Sequence, residues 1–186
     1  NPNLSASWAL ERAEDKAIRL NARWSAGRVD LEQENRVFPE GGSVRDDSLI
    51  QKYRNPVFEL GGDITRPLAG GAIKLVGLAT RRKRDNFDTY IERDGLLEDG
   101  AEEVGGFEQF QEASLDETIA RLTWSRQDLG GFSFEAGGEA VLNALDSSVD
   151  LFLIGDGGER TRIDLPIDNA KVEEKRAEIF VNAGRS

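Results

Sequence analysis

The most acidic stretch of the sequence runs from Glu92 to Glu103, ERDGLLEDGAEE. Crowded carboxylates suit a hard cation such as Ca²⁺, which takes oxygen ligands. The order of the acids is not the D-x-D-x-D-G of a calcium loop, so a solvated surface loop is the plainer expectation. Four successive cations, Arg81-Arg82-Lys83-Arg84, would suit an anion, either lipopolysaccharide or an anionic substrate. The ordinary alternative is a solvated strand end, with Asp85 and Asp88 as partners. Gly155-Asp156-Gly157-Gly158 is rich in glycine, but no Lys-Ser/Thr and no helix follow it, so it does not read as a phosphate loop. Glu135 and Glu139 share one face of a strand but stand about 13 Å apart at four residues. That is too far for a glycosidase pair. No enzyme is expected. No catalytic, cofactor-binding or metal-binding residue is assigned, no cofactor is expected, and ligand-binding residues stay unassigned.

The totals narrow the classes further. The chain has 186 residues, enough for one domain with a real core. Acids outnumber bases 35 to 24, for a net charge of −11. A nucleic-acid partner is not expected, because phosphate binding needs a basic patch. There is no cysteine and no histidine, which removes zinc–cysteine sites, disulfides and catalysis through a His base. No run approaches 18 apolar residues, the length expected of a transmembrane helix. Asn1-Pro2-Asn3 does not resemble an initiator, and the last strand pattern stops in mid-phrase. The expectation is a fragment of a longer protein.

The elements that would position these residues follow from an alternation. In GGFSFEAGGEAVLNAL, residues 130–145, one set is Phe132, Phe134, Ala136, Gly138, Ala140, Leu142 and Ala144. The other begins Ser133, Glu135, Gly137, Glu139. Successive strand side chains point to opposite faces, so this is one extended strand with an apolar and a polar face. Fourteen residues would reach roughly 46 Å at about 3.3 Å each, far beyond the usual strand of about 5–6 residues. Ile18, Leu20, Ala22 and Trp24 alternate with Arg19, Asn21 and Arg23. Phe58, Leu60, Gly62 and Ile64 alternate with Glu59, Gly61, Asp63 and Thr65. Ala177, Ile179, Val181 and Ala183 alternate with Arg176, Glu178, Phe180 and Asn182.

The separators also alternate, short then long. Residues 25–27, 66–70 and 127–131 are short, glycine-containing turn candidates. Residues 39–55, 92–113 and 147–170 are long and polar. This is the phrasing of an antiparallel up-and-down meander, an all-β fold of about seven strands: 11–24, 28–37, 56–66, 71–86, 114–126, 132–146 and 171–184. A small hairpin in 147–170, LFLIGDGGERTRIDL, turns at Asp156-Gly157-Gly158. A helical reading competes. Leu10, Ala13, Ala17, Leu20 and Trp24 have helical spacing. Ser114-Leu115-Asp116-Glu117 is a capping-box pattern, and 171–183 is rich in helix formers. That reading gives a soluble acidic α+β interaction domain.

A bilayer accounts for the long strands better. A spanning strand needs about 9–11 residues with one face on lipid, and its other face lines a polar lumen. Alanine and glycine fill a soluble core poorly but suit lipid, which makes no jigsaw demand. Strands that overrun the membrane on the long-loop side would be longer still. Trp24, Trp124 and Phe132 are expected beside short turns, as one aromatic girdle.

The phrasing of GGDITRPLAGGAIKLVGLATRRKRD (61–85), DETIARLTWSRQDLGGFSFEAGGEAVLNALDSSVDL (116–151) and VEEKRAEIFVNAGR (172–185) resembles the barrel of TonB-dependent outer-membrane receptors of Gram-negative bacteria. The likeness covers most of the chain from about residue 17. That family holds an N-terminal plug inside a barrel of about 22 strands. It imports siderophores, vitamin B12 or sugars with energy passed from the inner membrane. Residues 1–186 carry neither a TonB box nor a plug sequence. The resemblance therefore implies a barrel segment, roughly a third of the whole, lying in the cell outer membrane. Its implied partners are outer-membrane lipid, the TonB energy-coupling protein through an N-terminal region outside this sequence, and an unidentified small-molecule substrate. A passive porin-type channel is the third reading.

Overall fold

The structure, a computed structural model, describes residues 1–13, 15–127 and 130–185. Its strands are β1 (Asn3–Ala13), β2 (Lys16–Val37), β3 (Arg45–Leu68), β4 (Gly71–Asp94), β5 (Glu102–Arg126), β6 (Phe132–Ile154), β7 (Arg160–Ile163) and β8 (Asn169–Arg185). All belong to one antiparallel sheet, paired in chain order from β1 to β7, with β8 also on β6. The all-β meander expected from the alternation is the observed fold. The segments with helical spacing at 114–126 and 171–183 are both strand. Among the described residues only two short 3₁₀ turns occur, at Leu97–Asp99 and Asp156–Gly158.

The connections alternate as expected, but the boundaries move. Ser25-Ala26-Gly27 is no turn: β2 runs straight through it, paired with Val57, Pro56 and Asn55 of β3. The reversal comes earlier, between Ala13 and Lys16, so residues 11–24 are not one strand. The long separators are also shorter than expected. Residues 45–55, 102–113 and 147–154 are strand, so β2 to β6 each hold 22 to 25 residues. At about 3.3 Å per residue such a strand reaches roughly 75–80 Å. Each polar extension finds a polar extension opposite it, and the ladder satisfies its backbone groups where composition alone suggested loop.

Two local features fix the register. Ala69 and Gly70 both have positive φ, 51° and 72°, the pairing of a two-residue hairpin turn with the twist of its strands. The Asp156-Gly157-Gly158 hairpin forms as expected, with Leu151–Ile154 opposite Arg160–Ile163. β7 and β8 then share one edge of β6, joined where the Val149 amide donates to the Asp168 carbonyl at 2.7 Å.

This sheet has almost no core. Among the described residues the buried apolar ones are Ala17, Ile91, Val141 and Ile154. A soluble domain buries an apolar face against a second layer; here one sheet stands alone, with β1 and β8 at its edges.

Candidate functional site

Directly opposed residues in antiparallel strands point to the same side, so the register assigns every side chain to a face. On one face lie Trp8, Leu20, Gly62, Gly77, Ala120, Ala140 and Ala177, each opposite the next. Around this line the same face carries Leu60, Ile64, Leu75, Leu122, Leu142 and Ile179. Phe132, Phe134, Ala136, Ala140, Ile179 and Val181 share it, and Glu135, Glu139 and Glu178 share the other, as the alternation predicts. Within the band Leu142 on the apolar face is 51% exposed, against 6% for its neighbour Val141 on the charged face.

The apolar band does not run level across the rungs. On β2 and β3 its first charges toward the long loops are the opposed Arg28 and Arg54. On β4 and β5 they are the opposed Arg81 and Asp116, four residues nearer the middle. On β8 the first is Lys175, nearer by two residues again; only β6 departs, staying apolar to Ala144. The other edge moves the same way. Arg66 on β3 lies level with Ile73, Trp124, Ala136 and Val181. The first charge is two residues further on β5, at Arg126, and four further on β8, at Arg185. A flat apolar slab cutting tilted strands must shift in this manner. With strands about 4.8 Å apart and tilted about 40°, the shift is about one residue per strand.

Aromatic residues close the band at both edges. Trp124 lies near the short turns and donates its indole N–H to the Leu68 carbonyl at 3.0 Å. Phe132 and Phe134 sit beside it in the sheet, their ring centroids 6.4 Å apart. Trp24 is a correction: it lies opposite Phe58 at the far edge, because the short turn expected next to it is strand. The aromatics thus mark two edges rather than one.

The charged face carries ion pairs at the level of the band. Asp63 pairs with Arg19 at 3.4 Å and Lys74 at 3.8 Å. Glu139 lies between Arg121 at 3.9 Å and Arg176 at 3.7 Å, and Glu135 accepts from Asn182 at 3.3 Å. The Phe180 ring lies across Gly137, where a Cβ would meet its edge at 2.6 Å, and the Arg121 guanidinium covers it at 4.7 Å from the centroid. The sequence reading missed this stack. Its signal was an aromatic in the polar set of β8, which has meaning only once Gly137 is known to lie opposite.

Beyond the band the strands continue into a hydrogen-bonded extension that takes up the acidic stretch. Glu92 faces Arg45 at 3.6 Å, Glu103 faces Arg93 at 3.5 Å, and Glu98 accepts from Arg36 at 2.8 Å. These three acids so meet arginines, while Asp94 accepts from the Ser43 hydroxyl. The Tyr90 hydroxyl is pushed up to about 12, first by burial and then by Asp47, to which it donates at 2.9 Å. Phe87, Phe110 and Phe152 cluster on the other side of the extension, at 4.9 and 6.2 Å between centroids.

Asp46 is the latch of this region. It accepts from Arg36 at 3.0 and 3.1 Å and from the Leu97 amide at 2.8 Å, tying two connections together. The Arg36 bonds, then the Leu97 amide, hold its carboxyl below the ordinary aspartate range. Its folded pKa is lowered, so the latch contributes fully above the unfolded value of about 3.9. The contribution is lost as pH falls through the folded value. Asp46→Ala, which removes the acceptor, is expected to abolish protection of the Leu97 amide in hydrogen exchange at neutral pH. The native chain is expected to lose it only in strong acid.

The cationic run is divided. Arg81 and Lys83 point to the apolar face, Arg82 and Arg84 to the charged one. The expected partners Asp85 and Asp88 are not the partners found. Arg81 pairs with Asp116 at 2.9 Å, the acid opposite it on β5. Asp88, on the charged face, accepts from Tyr53 and Gln51 at 2.7 and 2.8 Å. The pleat sends neighbours in sequence to opposite sides, so cross-strand partners win.

The fold and its two surfaces define the class: a single antiparallel β wall, apolar on one face and charged on the other. No family model matches the chain, and no curated protein matches it.

Proposed function

We propose that the chain is a section of the wall of a transmembrane β-barrel in the outer membrane, with lipid against its apolar face and a polar lumen against its charged face. The observation that carries this reading is the diagonal course of the band through the register. Burial against a second sheet or a helix gives no reason for both edges to step in one direction by about the shift of a tilted strand. The aromatic residues at the band edges and the ion pairs behind it agree with the reading.

Within that class we propose a TonB-dependent receptor that imports a scarce nutrient, on the resemblance of residues 61–85, 116–151 and 172–185. A plug and a TonB box are then expected upstream in the same reading frame. An open frame that lacks both would favour the porin-type channel.

Lipid contact is directly testable, because the chain has no cysteine. Single substitutions Ala120→Cys, Arg121→Cys, Leu122→Cys and Thr123→Cys are placed in the membrane-bound protein. Water-soluble maleimide is expected to label positions 121 and 123 and to spare 120 and 122, with the reverse for a bilayer-partitioned maleimide. Uniform labelling by the water-soluble reagent would overturn the wall.

A further inference from the structure

We infer that β8 is held in its register by a lock on the charged face, the Phe180 ring seated on Gly137 under Arg121, and not by the turn that leads into it. The inference rests on strand pairing alone, so it stands whichever solvent meets the apolar face.

A hairpin turn ordinarily fixes the register of the strand that follows it. Here the turn is uncoupled from β8. The Asp156–Gly158 turn sets β7, whose last pair is Leu151 with Ile163. The first pair of β8 is Ser148 with Asn169. Between these pairs β6 uses residues 149 and 150, whereas the returning chain uses residues 164–168, a surplus of three. The surplus is gathered at Arg162, which reaches Asp150, Asp164 and Asp168 at 2.8, 3.6 and 3.4 Å. It is slack that a sliding strand can draw on.

The apolar face does not choose a register either. A slip of two residues keeps every side chain on its own face. As observed, Phe134, Ala136 and Gly138 meet Ala183, Val181 and Ile179. After a slip of two they would meet Val181, Ile179 and Ala177, which are again small or apolar. The acids and bases of the charged face favour the slip. Glu139 lies directly opposite Glu178, and like charges in opposed positions destabilise a ladder. Arg176 serves both glutamates from the side, at 3.7 and 3.3 Å. The slip would set Arg176 itself opposite Glu139 and take up two of the three surplus residues. The exposed Lys171–Asp146 pair at 3.0 Å is too well solvated to resist it.

What resists is Phe180. It lies opposite Gly137, where a Cβ would come within 2.6 Å of the ring edge. The ring crosses β6 to Arg121 on β5, whose guanidinium lies 4.7 Å from the centroid, so one side chain ties three strands. After the slip the ring would meet Glu135 instead. Along this face of β6, from Ser133 to Val141, only Gly137 lacks a side chain, so the seat exists once.

Opposed pairs can be read by disulfide formation, because the chain has no cysteine of its own. In the membrane-bound protein, Ala136→Cys is combined with Val181→Cys for the observed register, or with Ile179→Cys for the slipped one. After oxidation with copper phenanthroline and digestion with trypsin, the linked peptides are quantified by mass spectrometry. With Phe180 in place, only 136 with 181 is expected to link. Phe180→Ala is expected to shift linkage toward 136 with 179, and so is Phe180→Leu, which keeps apolar bulk but not the ring. Phe180→Tyr is expected to hold the observed register. Lys175→Ala, which removes the charge that the slip would carry toward the band, is expected to hold it too. Linkage of 136 with 181 alone, in whichever of Phe180→Ala and Phe180→Leu reaches the membrane, would overturn the lock. So would linkage of 136 with 179 while Phe180 is present, or release of the register by Lys175→Ala.

Discussion

Gly77→Arg is expected to deplete the folded, membrane-inserted protein, whereas Val76→Arg, one residue away, leaves most of it in place. The two positions differ only in face. Gly77 is at the middle of the apolar band, opposite Gly62 and Ala120, and a Cβ there meets nothing within 4 Å. The substitution therefore adds no clash, and its cost is that of a guanidinium in hydrocarbon. At the midplane of a barrel wall that cost is about 2–4 kcal/mol, or roughly 30-fold to 1,000-fold in the folded population. Val76 projects from the charged face, opposite Asp63 and Arg121. An arginine there gains a carboxylate neighbour and stays in the lumen. Heat-modifiable mobility of the outer-membrane fraction measures both. Equal tolerance of the two substitutions would mean that both faces see water.

The second large effect concerns the chain by itself. Expressed alone in the cytoplasm, residues 1–186 are expected to aggregate and to disperse only in detergent. Leu20, Leu60, Leu75, Leu122, Leu142, Ile179 and Val181 are all exposed on the same face. Such a surface exceeds the few hundred Å² that a soluble monomer tolerates. β1 and β8 add two unpaired ladders, which template further strand pairing. Size exclusion with and without dodecyl maltoside decides the matter. A monodisperse, cooperatively melting monomer in plain buffer would count against everything argued from the bilayer.

How far the sequence was legible depends on whether a feature is local. The faces of β6 and β8 were readable because alternation is a property of successive residues. Phe132 to Ala144 could be sorted without knowing what they pair with. The turns were less so. Ser25-Ala26-Gly27 has turn chemistry, but an unbroken ladder to β3, from Arg45 to Thr65, holds β2 straight across it. The true reversal near Asp15 has neither glycine nor proline in its flanks, Ala13 and Lys16, and so gave no signal. The misplaced turn then misplaced Trp24. The division of Arg81 to Arg84 between two faces was implicit in the alternation. Their partners were not, since Asp116 is brought to Arg81 from 35 residues away by the register of β4 and β5. The Asp46 latch required two connections to meet, which no local pattern encodes.

The sharing of one edge of β6 by β7 and β8 sets the height of the rim. β8 begins at Asn169 opposite Ser148, while β6 rises on to Ile154. Whatever pairs with the outer edge of β8 therefore meets a wall six residues lower, a step of about 20 Å. The four residues of β7 occupy the step on one side only. Their own outer edge is short and carries Arg160 and Arg162, which discourages another strand from docking there. In the proposed barrel this step makes the lip slanted rather than level, and a solute approaching obliquely over β8 would reach the charged face, near Glu139 and Arg176, by a shorter descent than one passing over β3 and β4.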